Sequence, residues 1–303
     1  MEFAINGAVK NVCLFGDSVM KGIVVDKEHS PEDSIKYKIS DMGFAARCRR
    51  SLGIELENYA RFGGRVTHGM KFVQRHADRI KAADYVLFEY GGNDCDYNWA
   101  EISSRPDDFH QPNVPIDQFG EKYHELISTV KAMGVRPVLL TLPVLDPVRY
   151  FKFLSRGLNG ENILKWLHGS VLNIDRWHER YNMEVMRLGV LTHTPVIDIT
   201  SVFLERRNYS DYLCEDGIHP NEEGHRLLAE AIEKVCGGAI VCAGNDETGY
   251  SVCIVGEDAR GVGTRAAKAL NGRGGGKPQF QQGCVHATRD EIMAFFKDFS
   301  IAL

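Results

Sequence analysis

Four short segments, far apart in the sequence, carry residue types that together could attack and cleave an ester. They are Gly16-Asp17-Ser18, Gly63-Gly64, Gly91-Gly92-Asn93-Asp94 and Asp216-Gly217-Ile218-His219-Pro220. In this order they offer a serine nucleophile, a glycine whose backbone N–H can bind an oxyanion, an amide side chain and an Asp/His pair. Because a serine hydroxyl attacks well only when a base takes its proton, the pairing of serine with histidine decides the chemistry.

The base for Ser18 has to come from the eleven histidines, and His219 fits best. It stands three residues after Asp216. A short turn of that length can hold the carboxylate against one imidazole nitrogen while the other nitrogen faces the serine. Asp216 would then fix the tautomer of His219 and stabilise its charged form. Glu215 and Asp211 are alternative carboxylates nearby, and the spacing favours Asp216.

The order and chemistry of these segments resemble the SGNH (GDSL-type) hydrolase superfamily over residues 10–236. The resemblance implies a flavodoxin-like, three-layer α/β/α fold with a parallel sheet. It also implies an oxyanion hole formed by the backbone N–H groups of Ser18 and Gly63 and by the side-chain amide of Asn93. The adjacent Gly64 stays an alternative to Gly63.

Two further acids, Asp17 and Asp94, stand inside these segments. An aspartate beside a turn commonly accepts hydrogen bonds from backbone N–H groups of that turn. We therefore expect both side chains to hold their loops in shape rather than to transfer protons.

Strand-like apolar runs alternate with amphipathic segments along the first part of the chain. The runs are Val12–Phe15, Ile54–Tyr59, Tyr85–Tyr90, Pro137–Leu142 and Pro195–Ile199, and two helical segments are Phe119–Met133 and Glu222–Val235. Such alternation predicts the α/β class, a parallel sheet covered by helices. Ligands bind such sheets at the carboxyl ends of the strands, where the four segments would converge.

Two longer connections follow strand ends on the predicted active-site side. They are Asp96–Asp117 and Leu145–Tyr181, and both are rich in aromatic residues. They could form a lid or an acyl- or sugar-binding pocket, or their aromatic side chains could pack the connections onto the body of the domain.

A domain boundary is predicted at Cys236-Gly237-Gly238. The first domain is then residues 1–236, and residues 237–303 form a small glycine-rich α+β domain. That second domain begins with two strand-like runs, Ala239–Cys242 and Tyr250–Val255, and continues with helical patterns on either side of a glycine loop.

The glycine loop is the most distinctive part of this second domain. Arg273, Gly274, Gly275, Gly276 and Lys277 combine exposed backbone amides with two positive charges, which suits contact with an anion or RNA. Residues 238–300 resemble the C-terminal domain of alanyl-tRNA synthetases and DHH phosphoesterases, which implies tRNA or a phosphorylated substrate as partner. Seven basic side chains are, however, balanced by seven acidic ones here. A protein-interaction module or a plain flexible loop are therefore alternatives.

Composition and charge exclude several other classes. The formal net charge of -5 argues against wholesale coating of nucleic acid, and no run approaches the roughly 18 apolar residues of a membrane helix. The N-terminal residues do not form an export signal, and eight cysteines are scattered without a disulfide pattern. We expect a cytoplasmic protein without membrane contact. Metal-binding and phosphate-binding motifs are missing from the sequence, so we expect neither a metal nor an organic cofactor.

The sequence thus predicts a serine esterase or acylhydrolase that forms an acyl-enzyme on a small-molecule ester, with an acetyl-sugar or another small acyl ester favoured. A thioesterase or lysophospholipase is one alternative. Another is an RNA- or nucleotide-associated factor that recruits RNA through the second domain and removes an ester-linked group such as an aminoacyl moiety. The oligomeric state is left open.

Overall fold

Apolar strands in residues 10–229 form a five-stranded parallel sheet, and a second, antiparallel sheet lies in the other of two compact units. That other unit consists of residues 230–303 together with residues 1–9. The computed structural model describes residues 2–4, 11–30, 34–236, 239–255, 259–278 and 280–296.

The strands, in chain order, are β1 (Glu2–Ala4), β2 (Asn11–Gly16), β3 (Ile23–Val25), β4 (Tyr37–Ile39), β5 (Glu55–Asn58), β6 (Tyr85–Glu89), β7 (Arg136–Leu140), β8 (Val196–Ile197), β9 (Ala239–Asn245), β10 (Gly249–Val255), β11 (Arg273–Lys277) and β12 (Phe280–Val285). The helices are α1 (Ser18–Lys21), α2 (Phe44–Leu52), α3 (Val66–Arg75), α4 (Ala77–Lys81), α5 (Trp99–Ser104), α6 (Ile116–Ala132), α7 (Pro147–Leu154), α8 (Gly160–Trp166), α9 (Leu172–Thr192), α10 (Ser201–Leu204), α11 (Glu222–Cys236), α12 (Ala259–Ala269) and α13 (Arg289–Phe296), with a 3-10 turn at Tyr209–Tyr212.

The parallel sheet has the order β5-β2-β6-β7-β8. Since β2 is its first strand in the chain, this is the 2-1-3-4-5 order of flavodoxin-like folds, which bind ligands where the order reverses. Here the reversal lies between β2 and β6. The segments that carry Ser18 and Asn93 leave the sheet at these two strands.

Both faces of the parallel sheet are buried. Phe15 and Phe88 pack into a cluster with side chains of α3, α6 and α9. Leu14 and Leu87, which alternate with them along the strands and so point to the opposite face, are buried as well. The predicted fold class, a mostly parallel sheet covered by helices, is confirmed.

The predicted strand Pro195–Ile199 is shorter in the structure, where β8 covers only Val196 and Ile197. The backbone N–H groups of Ile199 and Thr200 donate to the hydroxyl of Thr141, at 2.8 and 3.1 Å, instead of continuing the ladder. A buried side-chain acceptor therefore ends the strand early.

Side chains of the two aromatic connections pack together in one hydrophobic cluster, which lies within residues 10–229. Trp99 from the first and Tyr150 from the second are buried there with their rings edge-on, 6.4 Å apart. Trp166 and Trp177, with centroids 4.9 Å apart, extend the cluster. The connections thus form a small apolar core of their own.

The second unit contains an antiparallel sheet in the order β1-β9-β10-β12-β11, with α12 and α13 packed against one apolar core. Two features differ from the sequence-based expectation. The N-terminal strand β1 pairs with β9, so Glu2–Ala4 belongs to this sheet. Arg273–Lys277 is not a loop but an exposed edge strand that pairs with β12. The glycines there pair with β12 through backbone hydrogen bonds, which need no side chains.

Within the described residues, every helix is too short or too polar to cross a membrane.

Candidate active site

Ser18 lies directly beyond the carboxyl end of β2, at the first position of α1. Asp17 caps this turn, because its Oδ1 accepts a hydrogen bond of 2.8 Å from the backbone N–H of Val19. Gly16 has no room for a side chain, since a Cβ there would stand 2.6 Å from the carbonyl oxygen of Glu89 on β6. The close approach of β2 and β6 fixes the position of the Ser18 turn.

The structure brings Ser18, His219 and Asp216 into one hydrogen-bonded line. Nε2 of His219 lies 2.8 Å from Oγ of Ser18, and Nδ1 lies 2.6 Å from Oδ2 of Asp216. The alternative carboxylates lie elsewhere. Asp211 is exposed, and Glu215, with a side chain that is 61% exposed, pairs with Lys27. This is the geometry in which a histidine can remove the serine proton while an aspartate orients the ring.

Asp216 is well supplied with hydrogen-bond donors. Its Oδ1 accepts from the backbone N–H groups of Ile218 and His219, both at 3.1 Å, and its Oδ2 also accepts from the Tyr37 hydroxyl at 3.0 Å. Burial alone would raise the pKa of Asp216. The hydrogen bond and positive charge offered by His219, with the two backbone donors, outweigh burial and lower that pKa.

Tyr37 and Phe62 are site residues that the sequence analysis missed. The ring of Tyr37 lies 5.0 Å from that of His219, and the Phe62 ring stacks on His219 at 5.9 Å. Tyr37 comes from β4, which pairs with β3 in a two-stranded sheet. Its hydroxyl meets a partner 179 residues away, so no local pattern could have revealed the contact.

The predicted oxyanion-binding groups lie beside the Ser18 turn. Asn93 follows β6, and its amide nitrogen donates to Oδ2 of Asp17 at 2.9 Å. The Gly63-Gly64 turn packs on the same backbone, because a Cβ on Gly64 would stand 2.6 Å from the carbonyl oxygen of Gly16. The backbone N–H of Gly64 donates to the carbonyl of Arg61 at 3.0 Å, which favours Gly63 as the donor to a ligand.

Three acidic side chains, those of Asp17, Glu89 and Asp94, are buried next to one another beneath this turn. Asp94 accepts a hydrogen bond of 2.9 Å from the backbone N–H of Val66, which ties the start of α3 to the Asn93 segment. Burial, together with the charge of Asp17, raises the pKa of Asp94 to about 7. Sequence analysis had singled out Asp17 and Asp94 but missed Glu89, although an acid in the apolar run Tyr85–Tyr90 is itself a signal.

A cavity of about 350 Å³ opens at Ser18. Ser18, His219, Asn93, Asp17 and Glu89 lie in its wall. The aromatic connections supply most of its aromatic lining, namely Tyr97, Trp99, Tyr150, Phe153 and Trp177. The volume falls in the range of small-molecule sites, about 300–1,000 Å³.

The chain offers two further candidate binding groups. Among the described residues, Asp26, Glu28 and His29 bring potential metal-ligand atoms within 4.8 Å of one another, and His29 and Asp26 already form a hydrogen bond of 2.9 Å. The segment from Arg273 to Lys277, predicted to contact an anion or RNA, is the exposed edge strand β11 of the second unit. That contact stays a prediction.

The sequence model of the GDSL-like lipase/acylhydrolase family matches residues 14–227, well over half of the chain. The chain belongs to this family. This match confirms the predicted resemblance to the SGNH hydrolases. The match ends before the second unit, so the resemblance of residues 238–300 to alanyl-tRNA synthetases stays a prediction.

One curated relative is similar to this chain in sequence, and two solved structures are similar to it in fold. The uncharacterized protein YpmR of Bacillus subtilis is 25% identical over 187 residues, which cover 59% of this chain and 65% of YpmR. The α/β hydrolase LAE5, from the metagenome of Lake Arreo in Spain, is 19% identical with a TM-score of 0.52. A catalytic mutant of Axe2, an acetylxylan esterase from Geobacillus stearothermophilus, is 17% identical with a TM-score of 0.50. Each of these two structures covers 74% of this chain and is itself covered to 93%.

Proposed function

We propose that this acylhydrolase cleaves small acyl esters through an acyl-enzyme on Ser18. The observation that carries the proposal is the 2.8 Å contact between Oγ of Ser18 and Nε2 of His219. In the first step Oγ attacks the ester carbonyl carbon while His219 takes the hydroxyl proton. His219 then passes that proton to the departing alcohol, and Asp216 stabilises the charged imidazole in between.

The second half of the reaction uses the same groups. His219 removes a proton from a water molecule, which attacks the acyl carbon and releases the acid and the free Ser18 hydroxyl. We assign the oxyanion of both tetrahedral intermediates to the backbone N–H groups of Ser18 and Gly63 and to the Asn93 amide. A carboxamide has two N–H bonds, so Asn93 can donate one to Asp17 and the other to the oxyanion.

The cavity supports a small ester with a bulky partner group as substrate. Its aromatic walls suit the apolar face of a sugar or a short acyl chain, because aromatic rings pack well against both. The fold shared with Axe2, an acetylxylan esterase, favours an acetylated sugar. Thioesters and lysophospholipids react by the same chemistry and are the competing substrates.

The test is hydrolysis of p-nitrophenyl acetate, butyrate and octanoate by wild type and Ser18→Ala. The matched control is Ser104→Ala, at an exposed serine whose hydroxyl only bonds the carbonyl of Glu101. We expect Ser18→Ala to lose essentially all activity, the control to keep it, and a fluorophosphonate probe to label Ser18 alone. Activity that survives in Ser18→Ala would refute the serine mechanism, and a preference for acyl-CoA over every oxygen ester would replace the proposed substrate class.

A further inference from the structure

Glu89 is a fully buried acid at the end of a strand that is otherwise apolar. Its side chain is 1% exposed, and it forms part of the cavity wall that also holds Ser18. It hydrogen-bonds the Asp17 carboxyl group, while its Oε2 has no hydrogen-bond partner among the residues that the structure describes. The register of the sheet sets Glu89 opposite Gly16, directly before Asp17.

The charges around Glu89 do not permit two ionised carboxylates. Besides Asp17, the groups that face it are the Asp94 carboxyl and the Tyr90 and Tyr123 hydroxyls. Three positively charged side chains act on members of this group: His219 on Asp17, Arg65 on Asp94 and Arg61 on Tyr90. Two carboxylates in contact in a buried site share one proton, because a second negative charge would be both desolvated and repelled.

The hydrogen-bond donors decide which of the two acids keeps the proton. Asp17 accepts from the Val19 backbone at 2.8 Å and from the Asn93 amide at 2.9 Å, and such bonds stabilise its charged form. Glu89 accepts a hydrogen bond from one backbone donor, the N–H of Asp17, so its charged form is less well supplied than that of Asp17. Burial raises the pKa of Asp17 as well, against the lowering effect of its donors. Burial and the neighbouring Asp17 charge raise the pKa of Glu89 well above its usual value. The proton therefore resides on Glu89, which donates it to Asp17.

We propose that Glu89 is a positioning residue: as a neutral acid it donates to the Asp17 carboxylate, and this anion holds the Asn93 amide in place for the oxyanion. The inference rests on the proposed function of Asn93. Through Asp17, one carboxylate links the turn of the nucleophile to the amide donor, so Glu89 fixes two catalytic elements without touching the substrate. Loss of its proton would put a second negative charge beneath the developing oxyanion and lower kcat at alkaline pH.

The first test replaces Glu89 by glutamine, which is neutral at every pH and can still donate an N–H to Asp17. We expect Glu89→Gln to keep kcat on p-nitrophenyl acetate within about threefold at pH 7 and to lose the alkaline decline of the wild type. Glu89→Leu, which cannot donate, should lower kcat about 10- to 100-fold with little change in KM, approaching the loss of one oxyanion donor. The matched control is Glu121→Gln, at an exposed position of α6.

Two results would overturn the proposal. One is a loss of more than about 100-fold in Glu89→Gln at pH 7 with an unchanged melting temperature, which would mean that the charge of Glu89 is needed. The other is a pH profile of Glu89→Gln identical to that of the wild type.

A second measurement does not depend on turnover or on the stability of Glu89→Leu. Infrared spectra of Ser18→Ala protein, with and without Glu89→Gln, report the C=O stretch of a protonated carboxyl at pH 7. Asp94, with a pKa of about 7, contributes to this band in both proteins. We therefore expect the band to lose intensity with Glu89→Gln, and an unchanged intensity would refute the shared proton. Because Ser18→Ala is used, this result is independent of whether Ser18 is the nucleophile.

Discussion

Asp216 and Glu89 are two carboxyl groups that are equally hidden from water but hold opposite charge states. Asp216 receives four hydrogen bonds, from two backbone N–H groups, Tyr37 and His219, and its pKa is lowered. Glu89 meets chiefly another acid, and its pKa is raised. The difference shows that the supply of donors, rather than burial, decides which acid is an anion. The 216–219 loop thus holds a charge that can stabilise an imidazolium, while the end of β6 holds a proton.

The largest expected effect comes from removing the negative charge of Asp216. Asp216→Asn keeps the shape of the side chain but cannot favour the productive tautomer of His219, so kcat should fall by about 10⁴. Steady-state kinetics on p-nitrophenyl acetate, with circular dichroism to check folding, measures it. A loss below tenfold would show that the Asp216 anion is not needed and would remove the contrast with Glu89.

The next effect concerns the side-chain amide of Asn93. Asn93→Ala removes a donor to the proposed oxyanion and should lower kcat about 10²- to 10³-fold while KM changes little. The same kinetic assay separates the two parameters. A rise in KM with unchanged kcat would mean that Asn93 binds the ground state of the substrate rather than the oxyanion.

A smaller effect is expected from Tyr37, one of the four donors to Asp216. Tyr37→Phe removes a hydrogen bond to a charged group, worth about 1.5–3 kcal/mol, but leaves the backbone donors and the ring contact with His219 in place. We expect kcat/KM to fall by about 3- to 10-fold and its acidic limb to move to higher pH. An unshifted pH profile would indicate that Tyr37 acts only through packing.

The smallest effect concerns stability. The folded-state pKa of Glu89 lies above its ordinary value of 4.5, so the folded protein keeps a proton that the unfolded chain releases. The contribution of Glu89 to the free energy of unfolding therefore falls as pH rises above 4.5, until the folded-state pKa is passed. Glu89→Gln removes this dependence, whereas the contribution of Asp94 stays the same in both proteins. Urea unfolding at several pH values should give a stability advantage of the variant that widens with pH; a constant difference would contradict the raised pKa.

Sequence reasoning and the structure agree on those contacts that depend on local position in the chain. Ser18 and Asn93 follow strand ends, and Asp216 and His219 share one short turn, so residue order alone predicts which of them can meet. Tyr37, Phe62 and Glu89 escaped because their partners are set by how separate elements pack. A charged residue in an apolar strand was visible at Glu89, but its partner across the β2–β6 ladder was not.

In the second unit, the sequence likewise failed to predict which strands pair. The pairing of β1 with β9 joins residues that lie more than two hundred positions apart, and no periodicity encodes it. The glycines of β11 lack the side-chain alternation by which strands are predicted, yet backbone pairing with β12 makes a strand of them.

The most direct test of the account is one chemical change made on both sides of Ser18, since Asp216→Asn and Glu89→Gln each convert a buried acid into its amide. Purified side by side, the two variants are compared in kcat on p-nitrophenyl acetate at pH 7. We predict that Glu89→Gln exceeds Asp216→Asn by about 10³-fold or more, because only Asp216 works as an anion. Equal losses in the two variants would contradict the account, since both acids would then have to carry charge.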